Sequence, residues 1–182
     1  MKTDLGRYDN HNYMGGALWK RLCWYVVSRL FLKTSVLYPY GLKVLLLRVF
    51  GAKIGKKAVI KPGVHIKYPW FLELGDHVWI GENVWIDNLT KVSIASHVCI
   101  SQGAMLLTGN HNYKKSSFDL ILGPITLEEG VWIGAQSVVC PGVTCQSHSV
   151  LTVGSVATKN LLPAIIYQGN PAIAQKSRTI HF

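Results

Sequence analysis

The chain has 182 residues, 49% of them hydrophobic and 15% charged, with a formal net charge of +10. That length fits one domain, and the apolar content excludes a disordered chain, which could not bury enough surface to order its backbone. Residues 1–61 hold 12 of the 19 Lys and Arg against two acids, while residues 62–182 balance seven against seven, which excludes a uniform nucleic-acid-binding field.

The polar amino terminus, MKTDLGRYDNHNY, lacks the apolar core of a secretory signal. Cys23, Cys99, Cys140 and Cys145 form no CxxC pair. Both features predict a cytoplasmic protein with reduced thiols. Residues 14–50 predict two helices split at Pro39, the second closed by Gly51. Lys20, Arg21, Arg29 and Lys33 spread around the helical wheel and leave no clean polar stripe. The favoured role of residues 1–50 is therefore a cap over one open end of the remaining fold. The sharper alternative is a basic, aromatic surface for an anionic membrane, at the inner face of which the protein would sit, or for a lipid-linked glycan.

The runs 92–113 and 130–158 carry no charge, yet His97, Gln102, Asn110, Gln136 and His148 make them unfit for lipid. A period of six explains them. LEEGVW, IGAQSV, VCPGVT, CQSHSV, LTVGSV and ATKNLL succeed one another from Leu127 to Leu162, and nine more hexads start at Ile54, Leu74 and Ile94 in groups of three. Of the fifteen first positions thirteen are Ile, Leu or Val, the exceptions being Cys145 and Ala157. Small residues fill the fifth position in twelve. Three hexads make one coil of short strands and turns, with the first-position aliphatics pointing inward. One coil cannot bury its apolar face alone, so the coils must stack. The expected organisation is a cap over 1–50, a mainly β solenoid of about five triangular coils over 51–162, and a tail over 163–182 that folds back along the prism. A loop insertion, 112–126, interrupts the repeat.

From ISQGAMLLTGNHNY through GPITLEEGVWIGAQSVVCPGVT to VGSVATKN and GNPA, the chain resembles the hexapeptide-repeat acyltransferases. The likeness is to their galactoside, maltose and exopolysaccharide (colanic-acid-type) O-acetyltransferase branch. The resemblance implies a left-handed parallel β-helix, acetyl-CoA as donor, no metal, and a homotrimer with active sites between subunits. The repeat cannot set the hand, and the general preference for right-handed crossovers runs the other way.

His111 ends the ninth hexad where the insertion begins. A loop leaving a rigid solenoid makes a cleft wall, and an imidazole can take a proton from a sugar hydroxyl as it attacks a thioester. The Gly-x-His match implies that His111 is the general base. The chain has GNH where galactoside enzymes carry Gly-His-Pro, which directs the match to the exopolysaccharide branch. Asp87, Asn88 and Asn110 are the acceptor-side candidates by the same resemblance, with a polar turn as the alternative for Asp87 and Asn88. The family's cofactor path maps onto Ala135, Val153, Thr158 and Lys159, and Ile173 stands where a basic residue is expected, leaving phosphate contacts to Lys176 or Arg178. His77, His97 and His148 share the fourth hexad position and read as solvated turn residues, since with Gly130 between His97 and His148 the three imidazoles cannot converge on one metal within one subunit. Cys140 and Cys145 sit in neutral or inward positions and read as core or wall thiols. Trp79, Trp85 and Trp132 on the prism faces point to burial against another subunit.

The leading expectation is an O-acetyltransferase acting on an exopolysaccharide, capsule or related glycan precursor. The alternatives are N-acetyl transfer to an amino sugar, or a non-enzymatic trimeric scaffold that binds partners through its Trp faces.

Overall fold

The computed structural model describes residues 2–181. Five triangular coils stack as three parallel sheets. The first face holds Lys53–Ile54, Leu72–Leu74, Val92–Ile94, Ile125–Leu127 and Thr144–Cys145. The second holds Val59–Ile60, Trp79–Ile80, Cys99–Ile100, Trp132–Ile133 and Val150–Leu151, and the third holds His65–Ile66, Trp85–Asp87, Met105–Leu107, Val138–Val139 and Val156–Ala157. The register sets like hexad positions above one another, so Ile54, Leu74, Ile94, Leu127 and Cys145 form one inward ladder. All fifteen first-position residues are buried, including Cys145 and Ala157.

The corners explain the fourth hexad position. On the first–second and second–third edges its φ is positive in every coil: Lys57, Gly63, His77, Asn83, His97, Gly103, Gly130, Gln136, His148 and Gly154. A left-handed residue closes such a tight turn, and Gly, Asn and His reach that region most easily. The three aligned histidines are thus corner residues. His77 and His97 stack with ring centroids 5.0 Å apart, and the ring of His148 fills the space that a side chain at Gly130 would need.

Each coil donates its N–H groups to carbonyls of the next, as in Gly55 N–H to Leu74 O at 2.8 Å and Lys61 N–H to Ile80 O at 3.0 Å. The first coil's carbonyls and the last coil's N–H groups are therefore orphans, which a sheet edge must cover or leave to water. Helices α1 (Leu18–Phe31) and α2 (Tyr40–Val49) cover the first end with one donor per face. Arg48 Nη2 meets Ile54 O at 2.6 Å, Lys43 Nζ meets Ile60 O at 3.2 Å, and Trp24 Nε1 meets Ile66 O at 2.9 Å. Lys43 is fully buried among these contacts, and burial lowers its ammonium pKa.

The far end is closed in the same way, by acceptors. Leu161 O, Tyr167 O and Gly169 O take Gln146 N–H, Thr152 N–H and Val156 N–H, each at 2.9 Å. This corrects the expected tail: Ile165–Gln168 continues the second face as a sixth strand on Val150–Leu151 before Ile173–Ser177 returns antiparallel. Arg178, expected from the sequence as a phosphate contact, instead commits its guanidinium to Gly130 O and His148 O at 2.8 and 3.1 Å. The insertion is also displaced from 112–126. The chain leaves the third face at Gly109 as a hairpin, Gly109–His111 against Leu120–Leu122, and is back on the first face by Ile125. Hexad counting missed this because Leu106 and Leu107 keep the repeat pattern up to the departure.

Candidate active site

The hairpin leaves the third–first edge at the third coil, anchored at both feet. Thr108 Oγ1 donates to Asp87 O at 2.9 Å in the coil below, and Gly123 N–H donates to Thr108 O at 2.9 Å across its base. His111 stands at the end of its outgoing strand, half-buried. Its imidazole lies flat against Phe118, with centroids 4.5 Å apart and planes 8° apart, and the Tyr8 ring lies tilted by 57° with its centroid 5.7 Å away. His111 Nδ1 is 2.9 Å from Phe118 O. A carbonyl can only accept, so Nδ1 carries the proton and the neutral ring keeps its lone pair on Nε2. One hydrogen bond and one stacked ring thus give this histidine the tautomer of a proton acceptor.

Phe118 holds φ at +53°, uncommon and costly for a bulky residue. That conformation aims its ring and its carbonyl at the same imidazole. Neither Phe118 nor Tyr8 was singled out from the sequence. Phe118 is an ordinary loop aromatic until its backbone angle is known, and Tyr8 reaches His111 through an arm over a hundred residues distant in sequence. That arm runs along the third–first edge: Asp4 N–H meets Ser116 O at 2.9 Å, and Tyr13 Oη donates to Leu89 O at 2.8 Å.

The acceptor-side candidates divide. Asn88 is fully buried, accepts from Lys67 N–H and Tyr68 N–H at 3.1 and 3.0 Å, and donates to Tyr68 O at 2.6 Å. It holds a corner and offers no surface to a sugar, which corrects its expected role. Asp87 lies beside it with its carboxylate 3.0 Å from Lys67 Nζ. Asn110 is exposed, with Oδ1 accepting from His111 N–H at 2.8 Å. The cofactor-side candidates do not form one strip. Ala135 and Val153 line a groove of about 450 Å³ with Trp132 on the second–third edge. Thr158 and Lys159 are exposed where the chain leaves Val156–Ala157, on the same edge as the hairpin but two coils beyond it.

Nothing in the prism activates a thiol. Burial raises the pKa of Cys99 and Cys140 and pushes Cys145 up to about 12. Among the described residues no three His, Cys, Asp or Glu side chains gather as a metal site.

No protein-family model matches the chain. The chain is 37% identical over 166 residues, 91% of each protein, to an Escherichia coli (strain K12) protein named as the colanic acid biosynthesis acetyltransferase WcaF. It is 30% identical over 129 residues to the galactoside O-acetyltransferase of the same strain, covering 69% of this chain and 64% of that one. Among solved structures, the hexapeptide-repeat acetyltransferase VCA0836 of Vibrio cholerae superposes with a TM-score of 0.79 at 26% identity, over 91% of this chain and 96% of that one. The same Vibrio protein has also been solved with acetyl coenzyme A. Superposition admits no mirror image, so this solenoid has its neighbours' left-handed winding. The scaffold alternative falls with these relationships, and the chain belongs to the hexapeptide-repeat acetyltransferases, in the branch of the colanic-acid-type and galactoside O-acetyltransferases.

Proposed function

We propose that this chain transfers the acetyl group of acetyl-CoA to a sugar hydroxyl of an exopolysaccharide, capsule or related glycan precursor, with His111 as general base. The observation that carries the reading is the Nδ1–H bond from His111 to Phe118 O, which leaves Nε2 as the basic atom. Nε2 takes the acceptor's hydroxyl proton, the oxygen attacks the acetyl carbonyl, the C–S bond breaks, and the departing thiolate of CoA takes up the proton. The raised thiol pKa values support direct transfer without an acyl-cysteine. Asp87 and Asn110 flank the acceptor's approach to His111.

Ala135 and Val153 line the groove for the pantetheine arm, and Thr158 and Lys159 serve its phosphate end. Because the two pairs lie on different prism edges, one arm meets both only where a neighbouring protomer brings its hairpin edge alongside the groove. This supports a homotrimer packed through faces on which Trp79, Trp85 and Trp132 stay 44–47% exposed. The compartment is the cytoplasm, which keeps the four free cysteines reduced.

The test is His111→Ala. Loss of a general base costs about 10²–10⁴-fold in kcat, with an unchanged circular dichroism spectrum and assembly mass. A variant that keeps wild-type transfer to sugar hydroxyls refutes the assignment. Transfer to an amino sugar that survives the substitution while hydroxyl transfer was never present marks the chain as an N-acetyltransferase.

A further inference from the structure

Helix α1 is apolar on two faces. Trp24, Ser28 and the flank of Val27 and Phe31 turn inward onto the first coil. On the opposite side Trp19, Leu22, Val26 and Leu30 form a second stripe at i, i+3, i+7 and i+11, exposed by 68%, 59%, 55% and 57%. The two stripes cancel in a helical wheel, which is why the sequence shows no clean amphipathic pattern. A helix apolar all round is normally covered on both sides, and a patch this continuous marks a docking surface.

The cap helices and first coil carry no carboxylate of their own, none occurring between Asp9 and Glu73. Arg29 lies exposed at the edge of the stripe, its guanidinium 5.2 Å over the Tyr25 ring. Beside the stripe, a groove of about 390 Å³ runs between α1 and the first coil, with Leu22 and Tyr25 on its apolar wall and Arg21, Lys33 and Lys67 as its cations. Arg21 Nε is buried there with no hydrogen-bond partner among the described residues. Burial, with Arg29 beside it, lowers the pKa of Lys33, as befits an ammonium lacking a counter-ion. Among the described residues, Lys67 is the one of the three that holds a carboxylate, that of Asp87.

We infer that α1 lies on the surface of an anionic lipid bilayer, its outer stripe inserted at the acyl boundary and the Arg21–Lys33 groove taking a lipid phosphate. A second copy of the chain would set Arg29 and Lys33 against like charges, whereas an anionic leaflet supplies both the apolar depth and the missing negative charge. No helix among the described residues is long and apolar enough to cross a membrane, so contact through α1 is peripheral. Membrane contact of this kind is independent of the assignment of His111, and it would bring the enzyme to acceptors carried at a membrane.

The test uses the full chain in co-sedimentation with vesicles of phosphatidylglycerol and phosphatidylcholine, and with phosphatidylcholine alone. Binding is expected only to the anionic vesicles, weakening as salt rises toward 1 M, where the screening length falls to about 3 Å. Leu22→Gln with Val26→Gln, both at exposed positions, should abolish binding and leave acetyl transfer to a soluble acceptor unchanged. Arg29→Gln with Lys33→Gln should weaken it roughly 25-fold, about fivefold per charge. Absence of binding to anionic vesicles, or full binding by the Leu22→Gln/Val26→Gln protein, overturns the inference. So does a fall in assembly mass of that variant without vesicles, which would mean that a second copy covers the stripe.

Discussion

Phe118→Gly separates what Phe118 does for the fold from what it does for His111. The substitution removes a ring stacked at 4.5 Å on the imidazole, a pair worth about 0.5–1.5 kcal/mol beyond its area. It also exposes a half-buried aromatic surface, about 1 kcal/mol more. Against this, a side chain at φ +53° carries a left-handed penalty of roughly 1–2 kcal/mol that glycine does not. Phe118→Gly should therefore lie within about 1 kcal/mol of wild type, a Tm change of roughly 2–4 °C for a chain of this size. Phe118→Ala loses the same contacts and keeps the penalty, so it should melt about 4–8 °C below wild type. Both should lose about 10–100-fold in kcat, because an unclamped imidazole no longer presents Nε2 in one place, while KM for acetyl-CoA stays put. Thermal melts and steady-state kinetics on the two variants are sufficient. A Phe118→Gly enzyme with wild-type kcat, or an alanine variant as stable as the glycine one, refutes the reasoning.

Asn88→Ala takes the partner from Tyr68 N–H at a corner, while Lys67 N–H keeps Ile86 O at 3.1 Å and Tyr68 O keeps Phe71 N–H at 3.0 Å, and should cost about 1–3 kcal/mol, read as a Tm drop of roughly 3–9 °C. A raised acceptor KM at unchanged Tm would instead return Asn88 to the acceptor pocket. Gly75→Ala should destabilise by about 1–3 kcal/mol, because its Cβ would stand 2.5 Å from Ser96 N in the next coil. Gly142→Asn, at φ +80° with open space around it, should cost about 1 kcal/mol or less in the same melts, because no clash adds to a left-handed strain that Asn tolerates better than most residues. The buried Cys145 thiol, raised from 9.0 to about 12, is protonated in the folded state where the unfolded state would ionise. Stability should therefore be independent of this group below pH 9 and fall between pH 9 and 12, and Cys145→Ala should flatten that limb in alkaline denaturation curves.

The hexad register was legible in the sequence because its cause is local. A residue repeating every six positions must point inward in every coil, and Ile54, Ile60, Ile66 and their twelve counterparts are all buried. Even the weak members, Cys145 and Ala157, keep to the ladder rather than to their own preference. The site was legible only as a break in that repeat. His111 is conspicuous in one dimension, but its tautomer depends on Phe118 O, which a left-handed backbone angle brings round. Asn88 was misjudged for the matching reason, since a polar residue in a corner reads alike whether it faces a ligand or the chain's own amides. The cap shows the same division. Composition revealed two basic, apolar helices, but only the tertiary structure showed Arg48, Lys43 and Trp24 each assigned to the orphan carbonyls of one face. Periodic burial is written residue by residue, so the solenoid was determined by the sequence alone. Hydrogen-bond partners distant along the chain are chosen by which backbone groups the finished coils leave unpaired, and that choice exists only once the coils have stacked.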